Sequence, residues 1–114
     1  MSSVRVRRLD LDAVLAAIEA WAATVAARPE VIGVVLFGSL VEGTWSASSD
    51  ADVLVLVHHH PPEGPVAYRP AGALGIGLDL FVRTPEELAA MGPRFGAAVR
   101  RGRVLAGRGV TDGP

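Results

Sequence analysis

Apolar residues recur at helical spacing near the start of the chain and then give way to short continuous runs, and this change of period lays out the elements. Leu11, Val14, Leu15, Ile18, Trp21, Ala22 and Val25 share one face of a helix that Asp10 or Asp12 can cap and that Pro29 stops after about residue 28. The continuous β-branched run 31–37 fits a short strand covered on both faces, closed by Gly38. Residues 39–43 leave room for one helical turn, and the small polar stretch 44–49 reads as a loop. A second strand, 51–57, opens on Asp50 and Asp52 and ends before His58, His59, His60, Pro61 and Pro62. The Pro/Gly-rich segment 61–75 is a long connection, with a short strand expected at 66–68. A third strand, 76–82, leads into Thr84-Pro85-Glu86-Glu87, a capping box with proline at the first helical position. Gly92-Pro93 interrupts that helix, another is expected over about 94–101, and Val104-Leu105 forms a last short strand before a tail that frays from about residue 107.

Strands interleaved with helices make this an α/β (α+β) chain: a small mixed sheet with helices packed on it. With 114 residues, half of them hydrophobic, the sequence supports a single domain over 1–114 and one modest core. Residues 1–8 form a basic tail, followed by Asp10, Asp12 and Glu19, which interrupt any signal-peptide apolar stretch. Uncharged runs such as 31–41 fall short of a membrane span, so the expected location is the cytoplasm. Cysteine is absent, so a metal would have to sit on carboxylates or histidines. The net charge of -1 argues against general nucleic-acid binding. All eleven basic side chains are arginines, a choice that suits phosphate recognition and also follows from a GC-rich genome.

The candidate chemistry lies where the strands start and stop. Asp50 and Asp52 are two residues apart in an extended chain, so they point to one side with Cα atoms about 6.5 to 7 Å apart. Two carboxylates so placed repel unless a cation lies between them, and Mg²⁺ takes oxygen ligands from one or two carboxylates plus phosphates. On the third strand Gly75, Gly77, Asp79 and Phe81 share one face and Ile76, Leu78, Leu80 and Val82 the other, which is expected to face the core. Asp79, flanked by glycine, then faces open space where a ligand can approach, unless it is only a polar residue on an edge strand. The Gly38-Ser39 turn presents free backbone N–H groups and a hydroxyl to an anion. Consecutive histidines in extended chain point to alternate faces, so His58, His59 and His60 cannot all reach one ion and read as a solvated strand end. Trp21 belongs to the core, Trp45 either stacks on a base or meets a partner, and Tyr68 has no assigned role.

The stretch Leu36-Phe37-Gly38-Ser39-Leu40-Val41-Glu42-Gly43-Thr44-Trp45-Ser46-Ala47-Ser48-Ser49-Asp50-Ala51-Asp52-Val53-Leu54-Val55 resembles the GSxxxGxxxxxSDxDxxV signature of the polymerase-β nucleotidyltransferase superfamily, in its minimal (MNT) branch. Leu78-Asp79-Leu80-Phe81-Val82 resembles the strand that carries the family's third carboxylate, and residues 99–105 resemble the end of such domains. The resemblance implies the palm-like fold of that superfamily and metal-dependent transfer of a nucleoside monophosphate, usually from ATP, to an acceptor, with pyrophosphate leaving. It also implies that Asp50, Asp52 and Asp79 are catalytic and bind metal, two Mg²⁺ ions with Mn²⁺ as an alternative, while Gly38, Ser39 and Ser49 bind the nucleotide. Members of this size are often paired with a HEPN-domain protein as toxin and antitoxin, and some adenylylate a tyrosine of the toxin. Where many relatives carry arginine or another polar residue after the GS pair, this chain has Leu40 and Glu42, so any positive charge must come from elsewhere. Arg94, Arg100, Arg101, Arg103 and Arg108 near the C-terminus are candidates, beside their plainer reading as solvated helix charges.

Three functions compete on these grounds. The first is transfer of AMP to a hydroxyl of a partner protein, since no second substrate domain is visible; a homo-oligomer could equally present the acceptor. The second is a module with little chemistry that neutralises its partner by contact, for which Leu40 and Glu42 speak. The third is transfer to a small molecule such as an antibiotic, for which the loop 61–75 would have to build a pocket.

Overall fold

The computed structural model describes residues 10–44, 46 and 49–109. The basic tail, Trp45, Ser48 and residues 110–114 lie outside the described residues, so the readings made of them are not addressed. Helix α1 (Leu11–Ala26) starts on Asp10, whose carboxylate accepts the Ala13 N–H at 3.2 Å. The strands β1 (Val31–Phe37) and β2 (Ala51–Val57) pair antiparallel, and the short helix α2 (Ser39–Glu42) begins the loop between them. β3 (Leu78–Arg83) lies parallel to β2, and β4 (Arg103–Gly107) antiparallel to β1, which gives a mixed sheet of order β3-β2-β1-β4. The remaining helices, α3 (Pro85–Ala90) and α4 (Pro93–Arg100), form a hairpin broken at Gly92.

The continuous apolar runs of β1 and β2 follow from their central position, because both faces of each strand are covered. Val34, Leu36, Val53, Val55 and Val57 pack under α1 with Ile18, Trp21, Ala22 and Val25. Val35, Phe37, Leu54 and Leu56 take the opposite face, beneath Leu88 of α3 and Val99 of α4. Burying side chains of this size gains about 1.5 to 3 kcal/mol each, so these two layers hold the fold. Thr84 caps α3 reciprocally with Glu87, as the sequence pattern predicts. Among the described residues no helix is long and apolar enough to cross a membrane.

Three expectations need correction. Residues 66–68 are not a strand: Pro65–Tyr68 is a 3-10 turn. Gly64, at φ 77°, turns the chain, and Pro65 has a φ already suited to a helical start. The turn carries Tyr68 inward to 1 % exposure, where the Trp21 indole N–H donates to its carbonyl at 2.8 Å. The third strand begins at Leu78, two residues later than expected, and the face that carries Asp79 is not open along its whole length. Instead Phe81 packs with Phe37 and Phe95, ring centroids 5.7 and 5.3 Å away, because α4 covers that face beyond Asp79. The tail does not fray at residue 107: Gly107 pairs with Gly33, and the Arg108 N–H donates to the Ile32 carbonyl at 3.0 Å.

The far end of the sheet holds a buried carboxylate. Glu30, immediately before β1, is 7 % exposed and receives the Tyr68 hydroxyl at 2.6 Å and the Arg28 Nε–H at 2.6 Å. The Tyr68 hydrogen bond, above all, holds its carboxyl down at about 2, against the opposing effect of burial, and Arg28 adds to the lowering. The same burial and the same carboxylate push the Tyr68 phenol well above its ordinary value.

Candidate active site

Strand directions decide which residues meet. β1 runs towards the end of the sheet at which β2 and β3 begin, so Gly38, Asp52 and Asp79 come to the same end from three separate stretches of chain. The register places Phe37 opposite Asp52, and Asp52 opposite Asp79, so the two aspartates are lateral neighbours on adjacent strands. Asp50 lies just before β2, on the same face as Asp52 by alternation.

Two glycines make this packing feasible. Gly38 sits at φ 82°, ψ -149°, a backbone region nearly closed to other residues, and a Cβ there would collide with the Asp52 carboxylate. A Cβ on Gly77 would collide with the Asp50 carboxylate. Both carboxylates therefore rest against bare backbone. Asp52 is half-buried, whereas Asp50 and Asp79 are exposed. Burial, more than any other factor, raises the Asp52 pKa, and the neighbouring negative charges of Asp79 and then Asp50 raise it further. Among the described residues no group of three or more His, Cys, Asp or Glu side chains is arranged to hold a metal ion as it stands.

Beside the aspartates, the first intrahelical bonds of α2 run from the Val41 and Glu42 N–H groups to the Gly38 carbonyl, at 3.1 and 3.0 Å. The N–H groups of Ser39 and Leu40 precede these bonds, so the helix gives them no carbonyl partner. Ser49 is partly committed within its own loop, since its hydroxyl accepts the Ser46 N–H at 2.8 Å. Glu42 is exposed, and the Arg101 guanidinium reaches it at 3.3 Å. Arg103 pairs instead with Glu19. Of the histidines, His60 bonds Glu87 at 2.7 Å, and all three are exposed, in keeping with a solvated strand end.

A separate cavity of about 610 Å³ lies on the α3–α4 face near the opposite end of the sheet, with Ile32, Leu56, Leu88, Arg100 and Arg108 among its walls. None of the aspartates lines it.

Sequence reasoning singled out Asp50, Asp52, Asp79, Gly38 and Ser39, and the fold brings them to one end of the sheet. It missed the place of Arg101. Only the packing of the α4 end beside β1 could reveal that, since 59 positions separate Arg101 from Glu42.

Residues 19–95 match the profile of a family described as the nucleotidyltransferase domain. No curated protein matches the sequence. Among solved structures, one described as a toxin-antitoxin with AMP-PNP is similar at a TM-score of 0.58 and 23% identity, over 82% of this chain and 73% of that one. A candidate nucleotidyltransferase of Sulfolobus solfataricus is similar at a TM-score of 0.51 and 16% identity, over 98% of this chain and 95% of that one. At these identities the two structures establish a shared fold.

Proposed function

The chain belongs to the nucleotidyltransferase domain family, and from that premise we propose that it transfers a nucleoside monophosphate, AMP from ATP, to a hydroxyl of a partner protein. The observation that carries this reading is the lateral pairing of Asp52 with Asp79 next to the Gly38 turn. The carboxylates offer the hard oxygen donors that Mg²⁺ or Mn²⁺ takes, and a cation would relieve the repulsion that raises Asp52. Asp50, Asp52 and Asp79 would hold it. Two bound ions would supply charge neutralisation on the phosphates and Lewis acidity at the reacting phosphorus. Ser39, through its hydroxyl and N–H, and the Leu40 N–H hold phosphate oxygens, while Gly38 lets them approach the backbone. Asp79 accepts the proton of the acceptor hydroxyl; the acceptor oxygen bonds to the α-phosphorus, and the bond from that phosphorus to pyrophosphate breaks. The bound AMP-PNP of the toxin-antitoxin structure supports ATP as donor and a toxin as acceptor. We take the partner of the present chain to be a HEPN-domain toxin, with this chain as its antitoxin.

Incubating the protein with radiolabelled ATP, Mg²⁺ and its genomic neighbour tests the reading. Label should enter the partner and vanish with Asp50→Asn or Asp52→Asn; label that survives both changes refutes it.

The exposed anion Glu42, one turn from Ser39, favours a second reading, in which the domain neutralises its partner by contact. The aspartate variants would then still neutralise, and calorimetry with ATP and Mg²⁺ would register no binding.

A further inference from the structure

Resting on the nucleotidyltransferase reading above, we infer that Arg101 is the cation that receives the outer phosphates of the nucleotide, and that Glu42 holds it ready while the site is empty. The strand order sets the geometry. Across the end of the sheet, Asp79 on β3, Asp52 on β2 and Gly38 after β1 form a row, and the next strand in that row, β4, is the one that Arg101 precedes. Arg103 pairs with Leu36, two residues before Gly38, so the start of β4 lies beside the glycine turn. Gly102 is pressed against the same strand: a Cβ there would clash with the Leu36 carbonyl. The backbone that carries Arg101 is thereby fixed to β1. Its guanidinium reaches Glu42 at 3.3 Å, and Glu42 closes the single helical turn that starts with Ser39.

Charge gives this contact a purpose. Asp50, Asp52, Asp79 and Glu42 make this end of the sheet acidic, and a triphosphate would add to the repulsion. A metal ion answers the aspartates on one side of the row. Phosphates seated over Ser39 would still face Glu42 on the other. Arg101 cancels that charge, and its forked donors suit phosphate oxygens better than a single carboxylate contact does. The two side chains are 60% and 41% exposed, and exposed ion pairs contribute little stability, so the guanidinium can turn from Glu42 to phosphate at small cost. Glu42 thus competes with phosphate for the guanidinium, and Arg101 is the ligand-binding residue.

Titration calorimetry of the intact protein with ATP and Mg²⁺, repeated with AMP, tests the inference. Arg101→Gln should weaken ATP binding roughly tenfold, the size of one charge-assisted contact, and leave AMP binding within about twofold. Arg101→Lys should fall between the wild type and Arg101→Gln. Glu42→Gln should bind ATP more tightly, by about threefold, because the guanidinium is released. Circular dichroism of each variant establishes that it is folded, and the opposite signs at the two positions cannot both arise from misfolding. Equal ATP affinity in wild type and Arg101→Gln overturns the assignment of Arg101 alone. Equal losses for ATP and AMP in Arg101→Gln also overturn it. If the wild type binds no ATP, the nucleotidyltransferase reading itself fails, and this inference with it.

Discussion

The sheet carries a carboxylate at each end, and the two are treated in opposite ways. At the start of β1, Glu30 is buried, yet it is held ionised by a phenol and a guanidinium, each 2.6 Å away. At the start of β2, Asp52 is only half-buried, yet its pKa is raised, because its nearest ionisable neighbours are also carboxylates. Burial alone therefore does not decide the fate of a carboxylate; its partners do. The Glu30 end is complete within the fold and contributes to stability. The Asp52 end bears an electrostatic cost that a bound cation would remove, in keeping with the metal site proposed there.

That contrast breaks first at Asp52. Asp52→Asn should lower nucleotide transfer roughly 100-fold or more, by loss of a metal ligand. The same change should leave stability unchanged or raise it by about 1 kcal/mol, since it removes a repelled charge. The gain should be present above the raised folded pKa of Asp52 and disappear as pH falls below the ordinary aspartate value. Urea denaturation at pH 7 and pH 3, beside a transfer assay, checks both arms. Clear destabilisation at pH 7 would mean that the two ends of the sheet are not opposites.

The next largest effect is at the other end. Glu30→Ala leaves the Tyr68 hydroxyl buried without its acceptor and leaves Arg28 only its exposed contact with Glu63 at 3.3 Å, and should cost about 3 kcal/mol with little effect on nucleotide binding. Equilibrium unfolding and calorimetry measure the two quantities separately.

Titration sharpens the comparison without mutation. Glu30 has a lowered pKa, so its contribution is complete above its unfolded value near 4.5 and is lost as pH falls from there to about 2. Tyr68 has a raised pKa, so its contribution is complete below its unfolded value near 10 and is lost as pH climbs beyond it. In Tyr68→Phe the alkaline loss should vanish and the acid loss should shrink, as thermal melts across pH would show.

The smallest effect calibrates the rest. Thr84→Ala removes the cap of α3, at the opposite end of the sheet from Asp52, and should cost about 1 kcal/mol with no change in transfer. Melting temperature and transfer rate together check it.

Much of this was legible in the sequence where local chemistry governs. The limits of β1 and β2 follow from their apolar runs, the Thr84 cap from its box, and the common face of Asp50 and Asp52 from alternation. These features depend on residues a few positions apart. The strand expected at 66–68 failed because Gly64 and Pro65 turn the chain, and because what draws Tyr68 inward is a distant carboxylate, Glu30.

By itself the sequence determined β1, β2, the capped start of α3, the DxD pair, the glycine turn and the family to which they point, because each is written in short-range spacing. Only the tertiary structure decided that β3 lies parallel to β2 with Asp79 level with Asp52, that Arg101 meets Glu42, and that Arg28 and Tyr68 hold Glu30 ionised. The physical reason is separation along the chain: apart from Arg28, these partners come from distant segments, and they become neighbours only once the strands are ordered and paired in the sheet.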